Sequence, residues 1–244
     1  MNLLANPSFE EGYYHWKNIP ELAVPNKWDF WCAEQNTPRV ERQDDPWLRP
    51  ETVIWDKPHA PAEEAALFWL DGTYILKIFK GWGPTWAKLS QTVNLPAGRY
   101  VFTAPVYSDA VADYSKEGKK ILAPDPISQE VRLTAGDADT GWIAPKFGQY
   151  THHQLAFDAP GAEGVTVAVE VRGRWGLRNN GFFLDALSLD PAGSAPTPTP
   201  PVQPSPKSHG PAPEPSGPPA WETLDDQQRW EVVRELARRA GLVS

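Results

Sequence analysis

The chain has 244 residues, 41% hydrophobic and 22% charged, the balance of an ordinary folded globular protein. Its formal net charge of −8 disfavours nucleic acid and anionic membrane surfaces as partners, and no run approaches the ~20 apolar residues that span a bilayer. The single cysteine, Cys32, excludes an internal disulfide and a cysteine-built zinc site.

The opening Met1-Asn2-Leu3-Leu4 has neither a basic region nor a long apolar stretch, so no signal peptide is expected there. Residues 2–12 read as a short apolar strand carrying Glu10. Residues 13–67 are rich in Trp, Pro and charge, as in Trp28-Asp29-Phe30-Trp31 and Asp44-Asp45-Pro46-Trp47. They read as long loops with room for one short strand, and long loops on a rigid scaffold are where function concentrates. Short β-segments follow at 73–79, 87–93, 100–107, 129–134, 153–157 and 165–171, separated by turns such as Pro96-Ala97-Gly98 and Pro160-Gly161. No segment with the helical period lies among them. A last strand over 180–189 carries Asp185.

Composition breaks at Pro191: residues 191–219 hold 12 of the 27 prolines. Proline removes backbone donors and fixes φ, so this stretch reads as a semi-rigid spacer. Residues 221–240 then have a helical pattern. Thr223 and Asp226 stand at capping-box spacing, acids lie near the start, and Arg234, Arg238 and Arg239 lie near the end. An isolated helix of this length is marginal in water, so it is expected to dock. Its own domain, a protein partner or a second copy, met between Trp221 and Ala240, are all open. The predicted organisation is therefore all-β: an antiparallel β-sandwich of jelly-roll type over 1–190, a proline-rich linker over 191–219, and a C-terminal docking helix within 220–244.

Asn6-Pro7-Ser8-Phe9-Glu10, Asp71-Gly72-Thr73-Tyr74, Ser90-Gln91-Thr92-Val93, Pro96-Ala97-Gly98-Arg99-Tyr100 and Phe183-Leu184-Asp185-Ala186-Leu187 follow in that order. The succession resembles the galactose-binding-like jelly rolls of carbohydrate-binding modules, especially those that bind xylan and glucan. The resemblance covers about residues 1–190. It implies a noncatalytic sugar-binding domain with a structural Ca2+ where the first and last strands meet. Glu10 and Asp185 fall where that family supplies carboxylate ligands, although Ala186 stands where a second Asp is common. The alternative is that Glu10 caps a turn and Asp185 pairs with an Arg or a backbone amide.

Strand alternation places Lys77, Phe79, Tyr107, Arg132, Glu170 and Arg172 outward. Sharing one face, they would suit a sugar, with rings stacking on C–H faces and charged groups taking hydroxyls. The same set also fits a solvated face with cross-strand ion pairs. Ten of the 12 tryptophans lie in the first 190 residues, and Lys80-Gly-Trp-Gly-Pro-Thr-Trp86 and Arg172-Gly-Arg-Trp175 present indoles beside glycine. The candidate ligand set is Trp82, Trp86, Tyr107, Arg132, Glu170, Arg172 and Trp175. Trp28 and Trp31 are expected to be core or loop anchors.

No metal-binding H-E-x-x-H helix, P-loop or G-x-S-x-G elbow occurs. His152 and His153 are adjacent on a strand and point to opposite faces, so they do not share a metal. The expected function is noncatalytic binding of a polysaccharide or cell-surface glycan, outside the cell or on a particle surface, with a small glycosidase or lyase as a lesser possibility. The rival reading is a structural or adhesin component, such as a phage decoration or tail protein, anchored by the C-terminal helix.

Overall fold

A computed structural model describes residues 2–39, 46–161 and 164–193. The predicted helix over 221–240 and nearly all of the proline-rich linker lie outside the described residues. In chain order the strands are β1 (Tyr13–His15), β2 (Ala23–Pro25), β3 (Asp29–Cys32), β4 (Glu51–Asp56), β5 (Tyr74–Lys80), β6 (Thr85–Asn94), β7 (Gly98–Tyr114) and β8 (Lys120–Leu122). They continue as β9 (Gln129–Ala135), β10 (Ala138–Asp139), β11 (Tyr150–Ala159), β12 (Gly164–Gly173), β13 (Asn179–Leu184) and β14 (Ser188–Pro191). One α-helix, α1 (Ala62–Phe68), precedes β5.

The expected all-β sandwich is present. A five-stranded sheet runs β10-β9-β12-β6-β3, and a seven-stranded sheet is built on β11-β7-β13-β5-β4, with β14 and β8 also paired to β7. Every strand pairing within the two sheets is antiparallel. The core lies between them. Leu76, Ile78, Phe102, Val106, Phe182 and Leu184 face it from the larger sheet, and Leu89, Val131, Leu133, Val167, Val169 and Val171 from the smaller. Such burial stabilises by about 1.5–3 kcal/mol for each large apolar side chain. The alternation visible in the sequence is the alternation between core and outer face.

Two expectations need correction. Residues 2–12 form no strand; they run as a loop tied to the last strand, with Leu3 N–H donating to Leu189 O at 2.8 Å and Leu187 N–H to Pro7 O at 3.1 Å. The ends of the sandwich therefore do meet, through a loop. Residues 13–67, read as loops, hold β1 to β4 and most of α1. These pieces are short and packed by tryptophan, so neither strand alternation nor helical period had length to show itself. Trp28 is a core residue at 2% exposure, and its indole N–H donates to Asn6 O at 3.0 Å.

A candidate ligand-binding cleft

The outward residues of the sequence analysis do not share a face. Lys77, Phe79 and Tyr107 are on the outside of the seven-stranded sheet, whereas Trp86, Arg132, Glu170 and Arg172 are on the outside of the five-stranded one. Alternation along a strand fixes in or out but not which sheet the strand joins, and pairing order decides that.

On the seven-stranded sheet, α1 covers one end of the outer face. Glu63 and Glu64 favour its N-terminal turn, and Phe68 and Ala65 pack inward. Phe68 stacks on Phe183 with ring centroids 4.0 Å apart and meets Tyr107 edge-on at 4.9 Å. The Tyr150 hydroxyl donates to Phe68 O and Trp69 Nε1 to Thr73 O, closing the end of the helix onto the sheet. Tyr107 is consequently buried, and burial together with Asp109 and Glu64 pushes its phenol up to about 12. It is a packing residue beneath α1, not an exposed contact.

The other end of that face is open. A cleft of about 410 Å³ lies between α1, the loop joining β5 to β6, and the β7–β8 hairpin. Its rings include Trp55, Phe79, Phe183 and Trp82, and its polar groups are those of Glu64, Lys77, Asp109, Lys120, Arg178 and Asn179. Asp109 is 3% exposed and engaged on both oxygens, which accept from Lys120 Nζ at 2.9 and 2.8 Å, with Oδ2 also accepting from Asn179 Nδ2 at 3.1 Å. Arg178 donates to Asp113 at 3.1 Å and lies over the Trp82 ring at 5.4 Å and the Tyr114 ring at 5.5 Å.

Trp82 stands out locally. Its φ is +59°, a left-handed conformation that costs an L-residue about 1 kcal/mol or more, and its side chain is 59% exposed. The conformation is held from outside: Trp82 N–H donates to Leu177 O at 2.7 Å, and a Cβ on the adjacent Gly83 would come within 2.2 Å of Leu48. The chain spends strain and an apolar ring to hold an indole in solvent at the mouth of a cleft.

The opposite outer face is organised differently. Trp86 packs nearly perpendicular to Trp31 (5.0 Å, 78°) and to Trp142 (5.9 Å, 75°). Arg172 and Arg132 lie over Trp142 at 4.1 and 4.9 Å. Glu170 accepts from Trp86 Nε1 at 2.9 Å and from Arg132 at 2.7 Å, and Glu130 accepts from Arg172 Nε at 2.7 Å. Trp175 donates to Asp125 at 3.2 Å beside Arg174. The structure thus gathers five of the predicted ligand residues, but into a network that already uses most of their hydrogen-bonding groups, the buried Arg132 Nε excepted.

Glu10 and Asp185 both grip the loop 70–74. Asp185, fully buried, accepts from Leu70 N–H (2.7 Å), Asp71 N–H (3.0 Å) and Ala186 N–H (2.7 Å). Glu10 Oε1 accepts from Thr73 and Tyr74 N–H at 2.8 Å each. Burial pushes the Asp185 carboxyl up to about 7, against those three donors, with the nearby Asp71 charge adding to the rise. The calcium expected there finds a poor fit: three of the four carboxylate oxygens face N–H hydrogens, and among the described residues no group of three or more His, Cys, Asp or Glu is placed to hold a metal ion.

Strand alternation extended past Tyr107 and Phe182 would have put Asp109 and Phe183 outward; no sequence signal placed Glu64 or Lys120 beside them. No protein-family model and no curated protein matches the chain. Among solved structures it is similar to TmCBM61, described in complex with β-1,4-galactotriose, at 15% identity and TM-score 0.47, over 78% of this chain and 99% of that one. It is also similar to a Stig cyclase from Fischerella sp. TAU (16% identity, TM-score 0.45, 78% and 98% covered). A third is a CBM4 structure (10% identity, TM-score 0.36, 77% and 99% covered). At such scores the jelly-roll assignment rests on the two sheets themselves.

Proposed function

We propose that this chain is a noncatalytic carbohydrate-binding module, taking a polysaccharide or surface glycan in the cleft on the outer face of its seven-stranded sheet. A sugar presents C–H faces to rings and hydroxyls to charged groups, and the cleft sets both kinds of surface side by side. The observation that carries the reading is Trp82, an exposed indole kept in a strained backbone conformation at the mouth of that cleft. The site belongs to an extracellular or particle-surface setting, where such glycans are met.

Affinity electrophoresis and calorimetry across soluble glucans, xylans, galactans and acidic glycans test it. Trp82→Ala should weaken binding by about five- to thirtyfold, the equivalent of 1–2 kcal/mol of lost stacking. Its melting temperature should stay within about 2 °C of the parent, because the ring is largely in solvent. Retention of full affinity by Trp82→Ala, or no binding across the panel, would remove the cleft from consideration.

A further inference from the structure

The cleft holds a cation, Lys77, that no hydrogen bond or ion pair among the described residues satisfies. Lys77 projects from the middle of β5, and its Nζ lies 4.7 Å from the Phe79 ring centre, 5.3 Å from Phe183 and 5.9 Å from Trp55. Among the described residues it has no hydrogen-bond acceptor and no ion-pair partner, while Lys80, Lys120 and Arg178 each have one. The carboxylate best placed to serve it, Asp109, has both oxygens engaged by Lys120 and Asn179. Burial accordingly lowers the Lys77 pKa from that of a free lysine, with Asp109, Glu64 and Glu51 pulling the other way and Lys120 adding to the fall. Ring faces alone compensate an ammonium incompletely, so an oxygen anion arriving from solvent would gain a charge-assisted bond at little further desolvation cost.

We propose that the ligand is an acidic glycan, with a sugar carboxylate (a uronate) seated on Lys77 while its ring lies against Phe79 and Trp82. This rests on the glycan-binding reading above and names the class of sugar. Of the lining charges, Lys120 is paired with Asp109 and Arg178 with Asp113 beside the cleft, which leaves Lys77 and Glu64 without an ion pair among the described residues. Glu64, on α1, is the lining carboxylate without a hydrogen bond or ion pair among the described residues, and it opposes an anion from the cleft wall. It therefore makes the proposal separable from simple hydroxyl recognition. A neutral sugar would share hydroxyls between Lys77 and Glu64 and need both; a uronate needs only the lysine.

The test uses the full chain with oligosaccharides of polygalacturonate, alginate and hyaluronate, each paired with its carboxyl-reduced, neutral form, followed by calorimetry. The acidic form of at least one should bind at least about tenfold more tightly than its reduced partner. Lys77→Met should abolish that preference, Lys77→Arg should keep most of it, and Glu64→Gln should strengthen acid binding severalfold. Thermal melting of Lys77→Met should match or exceed that of the parent, since an undischarged ammonium leaves an apolar setting, so a lost preference cannot be ascribed to unfolding. Equal binding of acid and reduced forms, or weakening by Glu64→Gln, overturns the uronate assignment and leaves the glycan reading standing. No binding of either form, nor of the neutral panel, overturns both.

Discussion

Acidification should unfold this protein partly through one buried imidazole. β11 turns His153 inward opposite Ala104, at 4% exposure, and among the described residues its Nε2 has no hydrogen-bond partner. Burial, helped by the neighbouring His152, drives its pKa down from 6.5 to about 4. Between those values the unfolded chain binds a proton that the native state refuses, so the stability this group leaves intact above pH 6.5 is lost as pH falls. The span of about 2.5 units corresponds to about 3 kcal/mol at 1.36 kcal/mol per unit. Asp185 works in the opposite sense. Its pKa is raised from 3.8 to about 7, so its contribution is full below pH 4 and lost as pH rises through 7. The two slopes oppose each other between pH 4 and 6.5, and a wild-type profile alone would hide both. The informative comparison is His153→Leu against the parent, by urea unfolding followed through tryptophan fluorescence from pH 7.5 to 4.5. The stability difference, variant minus parent, should grow by about 2–3 kcal/mol over that range, the Asp185 contribution cancelling. A difference that stays constant with pH would refute the assignment of a buried His153 that is neutral above about pH 4.

Two further predictions concern the loop that Glu10 and Asp185 hold. Gly72→Ala puts an L-residue at φ +56° with a Cβ 2.3 Å from Glu10 Oε1, displacing that carboxylate from two amides, and should destabilise by about 2–4 kcal/mol in denaturant titration. Melting curves in millimolar calcium and in EDTA should coincide, because binding an ion there would first require the carboxylates to give up their N–H donors; a calcium-dependent rise of more than about 2 °C would restore the metal site.

What the sequence disclosed followed from periodicity. Runs such as 165–171 and 100–107 alternate over enough residues to declare a strand and its buried side, and the valines 167, 169 and 171 do face the core. Trp28 is in the core, one of the two places expected for it, and His152 and His153 diverge. The site was legible only in fragments. Lys77, Phe79 and Trp82 were identified, but they were grouped with Arg132, Glu170 and Arg172, which the strand order β9-β12-β6 carries to the other side of the sandwich. Pairing order is set by contacts between segments far apart in the chain, so a local pattern cannot contain it. The same limit hid α1: seven residues with one buried side chain make too short a helix for its period to register, yet it decides that Tyr107 is covered.

The two outer faces show why aromatic content alone does not locate a binding surface. Trp31, Trp86 and Trp142 give the small sheet an aromatic patch of its own, and they are joined by arginines and glutamates of the kind that recognise sugars. Yet perpendicular packing turns the edge of each ring into the face of the next, and Arg132 and Arg172 occupy the face of Trp142. Glu170 and Glu130 meanwhile satisfy the cations. A ligand there would have to break bonds of a quality similar to those it made. On the large sheet α1 consumes part of the aromatic surface, through Phe68 on Phe183, and stops short of Lys77, Phe79 and Trp82. That remainder has a ring exposed at a backbone cost, with Arg178 over it at 5.4 Å, and an ammonium without an acceptor among the described residues, so an incoming sugar meets an indole still 59% exposed. Residual interaction capacity, more than residue type, distinguishes a binding face from a stabilising one, and on this chain it lies at Trp82 and Lys77.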